Sequence, residues 1–215
     1  MKIFITFFLT FLFFTSCAYH SAYDTTRLRD REYRTNQITL TEGGLSSDKI
    51  KTITSTKLPT TFPVDLSIIL VKNGYIDNET EQLFMKNVIE SLKSSDKINR
   101  IVPIPKFLIP ANINFSVIQE LGIRTLTEYV ILLVVDAQSF FNYTKIIETQ
   151  FRITSAVDFI LVDPQTTAIL TSDRIFSEKL YNENLFKTGE KQKAKEEIFS
   201  EQGELLGKSI AELFK

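Results

Sequence analysis

Tyr129-Val130-Ile131-Leu132-Leu133-Val134-Val135 runs seven residues without a charge or an alternation of polar and apolar positions. A strand with one wet face alternates. A strand covered on both faces reads as one continuous apolar run. The stretch therefore predicts a central strand in a sheet that is packed on both sides.

Working outward, Val64-Asp65-Leu66-Ser67-Ile68-Ile69-Leu70-Val71 alternates at first and then turns continuously apolar, with Lys72-Asn73-Gly74 as its turn. Asn78-Glu79-Thr80-Glu81 carries a helix-start signature, with Asn78 as N-cap and Glu81 three residues on. The helix that follows places Leu83, Phe84, Val88, Ile89 and Leu92 on one face. Asn99 to Ile104 reads as a short strand. Pro103, Pro105 and Pro110 then forbid regular structure until a second helix over Phe115 to Leu121, stopped by Gly122.

Beyond the central strand, Thr144 to Val162 is rich in β-branched and aromatic residues. Asp163-Pro164-Gln165-Thr166 supplies a turn, and Thr167 to Phe176 pairs back. Lys187 to Phe214 is a charged amphipathic helix with Ile198, Leu205, Leu206, Ile210 and Leu213 on one stripe. Gly203 and Gly207 interrupt it, a placement that suits close packing on the sheet. The order β-α-β-α-β-β-β-α predicts an α/β (α+β sandwich) fold, one mixed sheet covered by helices.

The N-terminal part differs in kind. Lys2 is followed by the apolar run Ile3 to Phe14, and then by Thr15, Ser16 and Cys17. A basic start, a short apolar run and small residues at its exit form an export signal. At ~1.5 Å per residue the run covers only ~18 Å of a ~30 Å hydrocarbon core, too little for a span. Residues 18–60 are polar, with isolated aliphatics, and read as a largely disordered tether. As a flexible coil this stretch spans roughly 35–40 Å on average. Arg27, Arg29, Arg31 and Arg34 cluster within it, diluted by Asp30 and Glu32, and suit a solvated segment or contact with anionic head groups. The organisation is thus 1–16 signal, 17–62 tether, 63–215 folded domain.

The chain holds one Cys and one His, Cys17 and His20, so an intrachain disulfide, Cys/His zinc sites and His-dependent catalytic dyads or triads in the domain are all excluded. Once Lys2 leaves with residues 1–16, 24 Lys+Arg face 26 Asp+Glu, a balance without a nucleic-acid signature. No phosphate-binding glycine loop, cofactor motif or metal-ligand spacing is present. Asp158 and Asp163 are the acids to weigh for a carboxylate-only hydrolase, which needs them to converge. Two stretches suit contact with a partner: the aromatic segment Phe140, Phe141 and Tyr143, and the hairpin tip Asp163, Pro164, Gln165 and Thr166. For each, core packing or turn chemistry is the alternative reading. A small ligand or glycan would instead need an apolar pocket between sheet and helices.

Phe14-Thr15-Ser16-Cys17 resembles the lipobox of bacterial lipoproteins. That resemblance implies a diacylglyceryl thioether on Cys17, cleavage before it and acylation of the new amine. The domain resembles envelope lipoproteins with an α/β sandwich: activators of cell-wall synthases, the curli-secretion lipoprotein and rhombotail-type lipoproteins. The likeness is carried by Leu121-Gly122 before Glu128-Tyr129-Val130-Ile131-Leu132-Leu133, and by Phe159-Ile160-Leu161-Val162-Asp163-Pro164-Gln165-Thr166-Thr167-Ala168-Ile169-Leu170. Thr127-Glu128 stands where that group commonly has Ala-Asp, and Thr166-Thr167 where it commonly has Thr-Gly. The resemblance implies binding or scaffolding of an envelope protein rather than catalysis, and transfers no catalytic residue. Ala18 after Cys17 suits an outer-membrane anchor facing the periplasm.

Overall fold

The structure is a computed structural model. It describes residues 37–40, 45–59, 61–74, 76–144, 148–184 and 189–214, without the side chains of 37, 138–151 and 182–184. Its main sheet has five strands in the order β3-β2-β5-β6-β7, built from β2 (Val64–Gly74), β3 (Ile98–Pro103), β5 (Tyr129–Thr144), β6 (Glu148–Val162) and β7 (Ile169–Asn184). Strands β3 and β5 run parallel to β2, whereas β5-β6 and β6-β7 are antiparallel. The mixed sheet agrees with the order expected from the sequence. The apolar run Tyr129 to Val135 lies on the central strand, between β2 and β6.

Alternate side chains of β2 and β5 supply two cores. On one face Leu66, Ile68, Ile131, Leu133 and Val135 meet α2 (Asn78–Lys93) and α4 (Glu190–Glu212) through Phe84, Val88, Leu92, Phe199, Leu206 and Ile210, with Phe214 just beyond α4. On the other, Ile69, Val71, Val130 and Leu132 meet Ile118 and Leu121 of α3 (Phe115–Thr125) and Ile113 of β4 (Asn112–Ile113). Each such aliphatic or aromatic side chain contributes ~1.5–3 kcal/mol when fully buried, and this makes the two central strands the mechanical centre.

Several local expectations shift. The N-cap of α2 is Asp77, one residue before Asn78, and its side chain accepts from Thr80 N at 2.8 Å and Thr80 Oγ1 at 2.9 Å. Gly122 does not stop α3, which continues to Thr125. A Cβ on Gly122 would lie 2.7 Å from Pro164 Cβ and 2.8 Å from Val130 Cγ2, so this glycine admits the hairpin turn against the helix. Gly203 and Gly207 face α2 rather than the sheet. Added Cβ atoms would lie 2.6 Å from Phe84 O and 2.5 Å from Ser91 Cβ. Leu205, placed by periodicity on the apolar stripe, is exposed, because that stripe is narrowed to the flank that α2 and the sheet share.

Part of the stretch 17–62 carries regular structure. Strand β1 (Gln37–Ile38) pairs in parallel with β4, and Ile38 and Leu40 pack against the second core. Helix α1 (Ser47–Ser55) is capped by Ser46 and buries no residue. Two isolated aliphatics suffice there because Asn112–Ile113 offers a backbone ladder to the passing chain. Cys17 and the rest of residues 1–36 lie outside the described residues.

Candidate docking surface

The hairpin tip is built as a closed turn. Asp163 Oδ1 accepts from Gln165 N at 2.8 Å, and Asp163 Oδ2 from Thr166 Oγ1 at 2.8 Å. Thr166 Oγ1 in turn accepts from Ala168 N at 3.3 Å. Thr167 N donates to Asp163 O at 2.8 Å, and Asp163 N to Ala168 O at 3.0 Å. Pro164 is buried against Gly122, leaving Gln165 as the exposed residue of the four. Asp163, Pro164 and Thr166 therefore shape the tip, and Gln165 is what the tip presents.

Beside the tip stands the end of α3. Leu126 closes the helix with φ 53 and ψ 48, the left-handed conformation, donating its N–H to Ile123 O at 3.1 Å. Glycine is the usual residue at such a position, because a Cβ there costs roughly 1–2 kcal/mol. Leu126 nevertheless holds the position with its side chain 78% exposed, and Ile123, three residues back on the same flank, is 57% exposed. Arg100 clamps this turn: its guanidinium donates to Leu126 O at 2.7 Å and Thr125 O at 3.2 Å, and pairs with Asp65 at 2.9 Å. Asn99 Nδ2 donates to the other Asp65 oxygen at 2.8 Å, and Asp65 N donates to Glu128 Oε2 at 2.8 Å. The apolar pair thus rests on a fixed polar floor.

Tyr129 begins the central strand at this end. Burial, then the nearby charges of Asp163 and Glu128, push its phenol above the ordinary range, so it stays neutral. The carboxylates of Asp65, Glu128 and Asp163 each accept hydrogen bonds within this end of the fold. Asp158 and Asp163 do not converge. Asp158 lies opposite Arg174 on the open side of the hairpin, with 3.5 Å between their charged atoms, while Asp163 caps the turn five residues on. At ~3.3 Å per residue the two are roughly 16 Å apart along the chain, too far to share a reacting atom. Among the described residues no group of His, Cys, Asp and Glu is arranged to hold a metal ion.

The aromatic stretch is a separate place. Phe140 and Phe141 are in β5, opposite Arg152 and Phe151, and Tyr143 is opposite Gln150 after an irregularity in the register. Their side chains lie outside what is described. The backbone puts them at the far end of β5 from the tip, since Val130 pairs with Val162. The two stretches singled out from the sequence therefore do not form one surface. The space between the first sheet face and its helices is filled by Phe84, Phe159, Phe199 and Phe214, all buried. A groove between α2 and α4 opens away from the sheet and is lined by Asn87, Ser91, Ser200 and Lys208, which gives it a polar rather than an apolar wall.

The sequence by itself points to neither Ile123 nor Leu126, because Gly122 reads as the stop of the helix. The usable signal was the absence of Gly or Asn at the true end, Thr125-Leu126-Thr127.

No protein-family model matches this chain, and no curated protein does. Solved structures similar to it include a neuraminyllactose-binding hemagglutinin homolog from Helicobacter pylori, at 13% identity over 74% of this chain and 89% of that one, with a TM-score of 0.45. A minor lipoprotein from Acinetobacter baumannii is similar at 11% identity over 69% of this chain and 93% of that one, TM-score 0.41. The C-terminal domain of LpoB from Salmonella enterica is similar at 11% identity over 61% and 93%, TM-score 0.37.

Proposed function

We propose that this chain is a bacterial envelope lipoprotein, held on the periplasmic side of the outer membrane by lipid on Cys17, whose α/β domain docks on another envelope protein without catalysing a reaction. The leader and the lipobox-like Phe14-Thr15-Ser16-Cys17 support the anchor. The observation that carries the docking role is Leu126: a large aliphatic held exposed in a backbone conformation where glycine is cheaper. Ile123 and Gln165 extend the patch, and Arg100 fixes its base. Anchoring confines the domain near membrane-bound partners and raises their effective concentration.

Two experiments test the reading. Cys17→Ala should move the chain from the membrane fraction to the soluble fraction of the envelope, and continued membrane retention would remove the lipid anchor. A photo-crosslinking residue at position 126, in intact cells, should give one discrete protein adduct that a probe at exposed Glu90 does not give. Absence of that adduct would remove the docking patch.

A further inference from the structure

Strand β7 is an edge. It pairs with β6 along its length, and among the described residues nothing pairs with its other side. It is 16 residues long and contains no proline. Edges of that length invite another strand unless they are blunted. Its even-numbered residues from Ser172 to Leu180 are exposed, with Phe176 at 59%. Of its odd-numbered residues from Thr171 to Tyr181, Asp173 is exposed and the rest are partly covered, and Lys179 among them meets Glu197 of α4.

We infer that β7 pairs antiparallel with β7 of a second copy of this chain, on a two-fold axis at Phe176, so that two five-stranded sheets become one. Self-complementary charge carries the inference. About Phe176, Arg174 falls opposite Glu178 of the second copy, and Asp173 opposite Lys179 of the second copy. The symmetry then repeats both pairs on the other side of the axis. The first pair is on the open face and the second on the face toward α4, so neither asks a strand to turn over. Opposite charges directly across a ladder stabilise it and like charges destabilise it.

The register is specific. A slip of one residue one way sets Asp173 against Glu178, and the other way Arg174 against Lys179, like charges in both cases. Slips of two residues set all four charges against neutral residues. The pairing also extends rows already present. Arg174 pairs with Asp158 at 3.5 Å, and Glu178 with Arg152 at 3.2 Å, both across to β6. Each row then reads Asp158, Arg174, Glu178 of the second copy, Arg152 of the second copy, alternating in sign across the join. Phe176 meets its own counterpart between two such rows. The interface is isologous and closes at two copies, so it does not propagate. It uses none of the residues of the docking patch.

The test uses the full chain in bacterial membranes. At the axis, the Cα atoms of residue 176 in two copies stand ~4.5–5.5 Å apart, within disulfide reach. Phe176→Cys should form a disulfide-linked dimer under mild oxidant. Ser172→Cys should not, since its counterpart lies roughly 27 Å away along the strands. Arg174→Glu and Glu178→Arg, each added to Phe176→Cys, should each lower the linked fraction about tenfold. Two differently tagged chains, one with each reversal, should link to one another at the level of the parent. Equal linking from positions 172 and 176, no linking from 176, an adduct only with a different protein, or no recovery in the mixed pair would each overturn the inference.

Discussion

The last turn of α3 and the middle of α4 break the same local rule in opposite directions. In α4, Gly203 and Gly207 occupy helix-interior positions where alanine would be better by up to ~1 kcal/mol each. In α3, Leu126 occupies a left-handed terminal position where glycine would be better. The glycines of α4 are explained within the domain: the backbone of α2 lies where their Cβ atoms would be. Leu126 has no such internal reason, since its side chain is mostly in water. A rule broken for packing points inward to a neighbouring element. A rule broken at a cost, with nothing packed in return, points outward.

The largest expected effect tests the inward half. Gly207→Ala gains helix propensity but drives a methyl to 2.5 Å from Ser91 Cβ and 2.7 Å from Val88 O, so the helices must part. We expect a net loss of about 2 kcal/mol in a urea titration, from overpacking less the propensity gain. An unchanged midpoint would show that α2 and α4 are not held at this spacing. Gly122→Ala should lose slightly less, about 1–2 kcal/mol, because side chains of Pro164 and Val130 rather than backbone receive the methyl.

Asp77 sharpens the comparison as an ordinary position where local rule and structure agree. Asp77→Ala should cost about 1 kcal/mol at neutral pH through the lost cap. Burial alone would raise the Asp77 carboxyl. Hydrogen bonds from Thr80 N and Oγ1 and from Gln192 outweigh it and hold the group below its ordinary 3.8. A depressed carboxyl contributes stability that is present above 3.8 and fades as pH falls through the folded value. Asp77→Asn should keep most of the cap at neutral pH yet soften the acid limb, which unfolding curves between neutral and acid pH will check.

The smallest effects have the opposite sign. Leu126→Gly should raise stability by up to about 1 kcal/mol, relief of the left-handed backbone being partly offset by the freer unfolded chain, while abolishing the adduct at the docking patch. Loss of both stability and adduct would mean that Leu126 serves the fold instead. Thr167 is the second non-glycine at positive φ, at 61, and it is β-branched. Thr167→Gly should likewise stabilise by up to about 1 kcal/mol.

Much of this was legible along the chain. A continuous apolar run placed β5 at the centre, and helical spacing found Phe84, Val88 and Leu92, because burial periodicity is a property of a segment by itself. The Asp-Pro turn was legible for the same reason, its hydrogen bonds being local. Apart from the one-residue shift of the α2 cap from Asn78 to Asp77, the misreadings fell where a distant element decides. Gly122 reads as a stop unless Pro164 is known to press on it, and Gly203 and Gly207 name a close approach without naming α2 as its partner. The candidate sites divided likewise: the tip residues were found but their inward hydrogen bonds were not, and Leu126 was missed. By itself the sequence determined the lone Cys17, the order of the main elements and the two-sided core, all set by local composition and period. Only the tertiary structure decided which glycines are contacts, which strand is left as an edge, and which aliphatic stands in water, because each depends on residues far apart in the chain coming within a few ångströms.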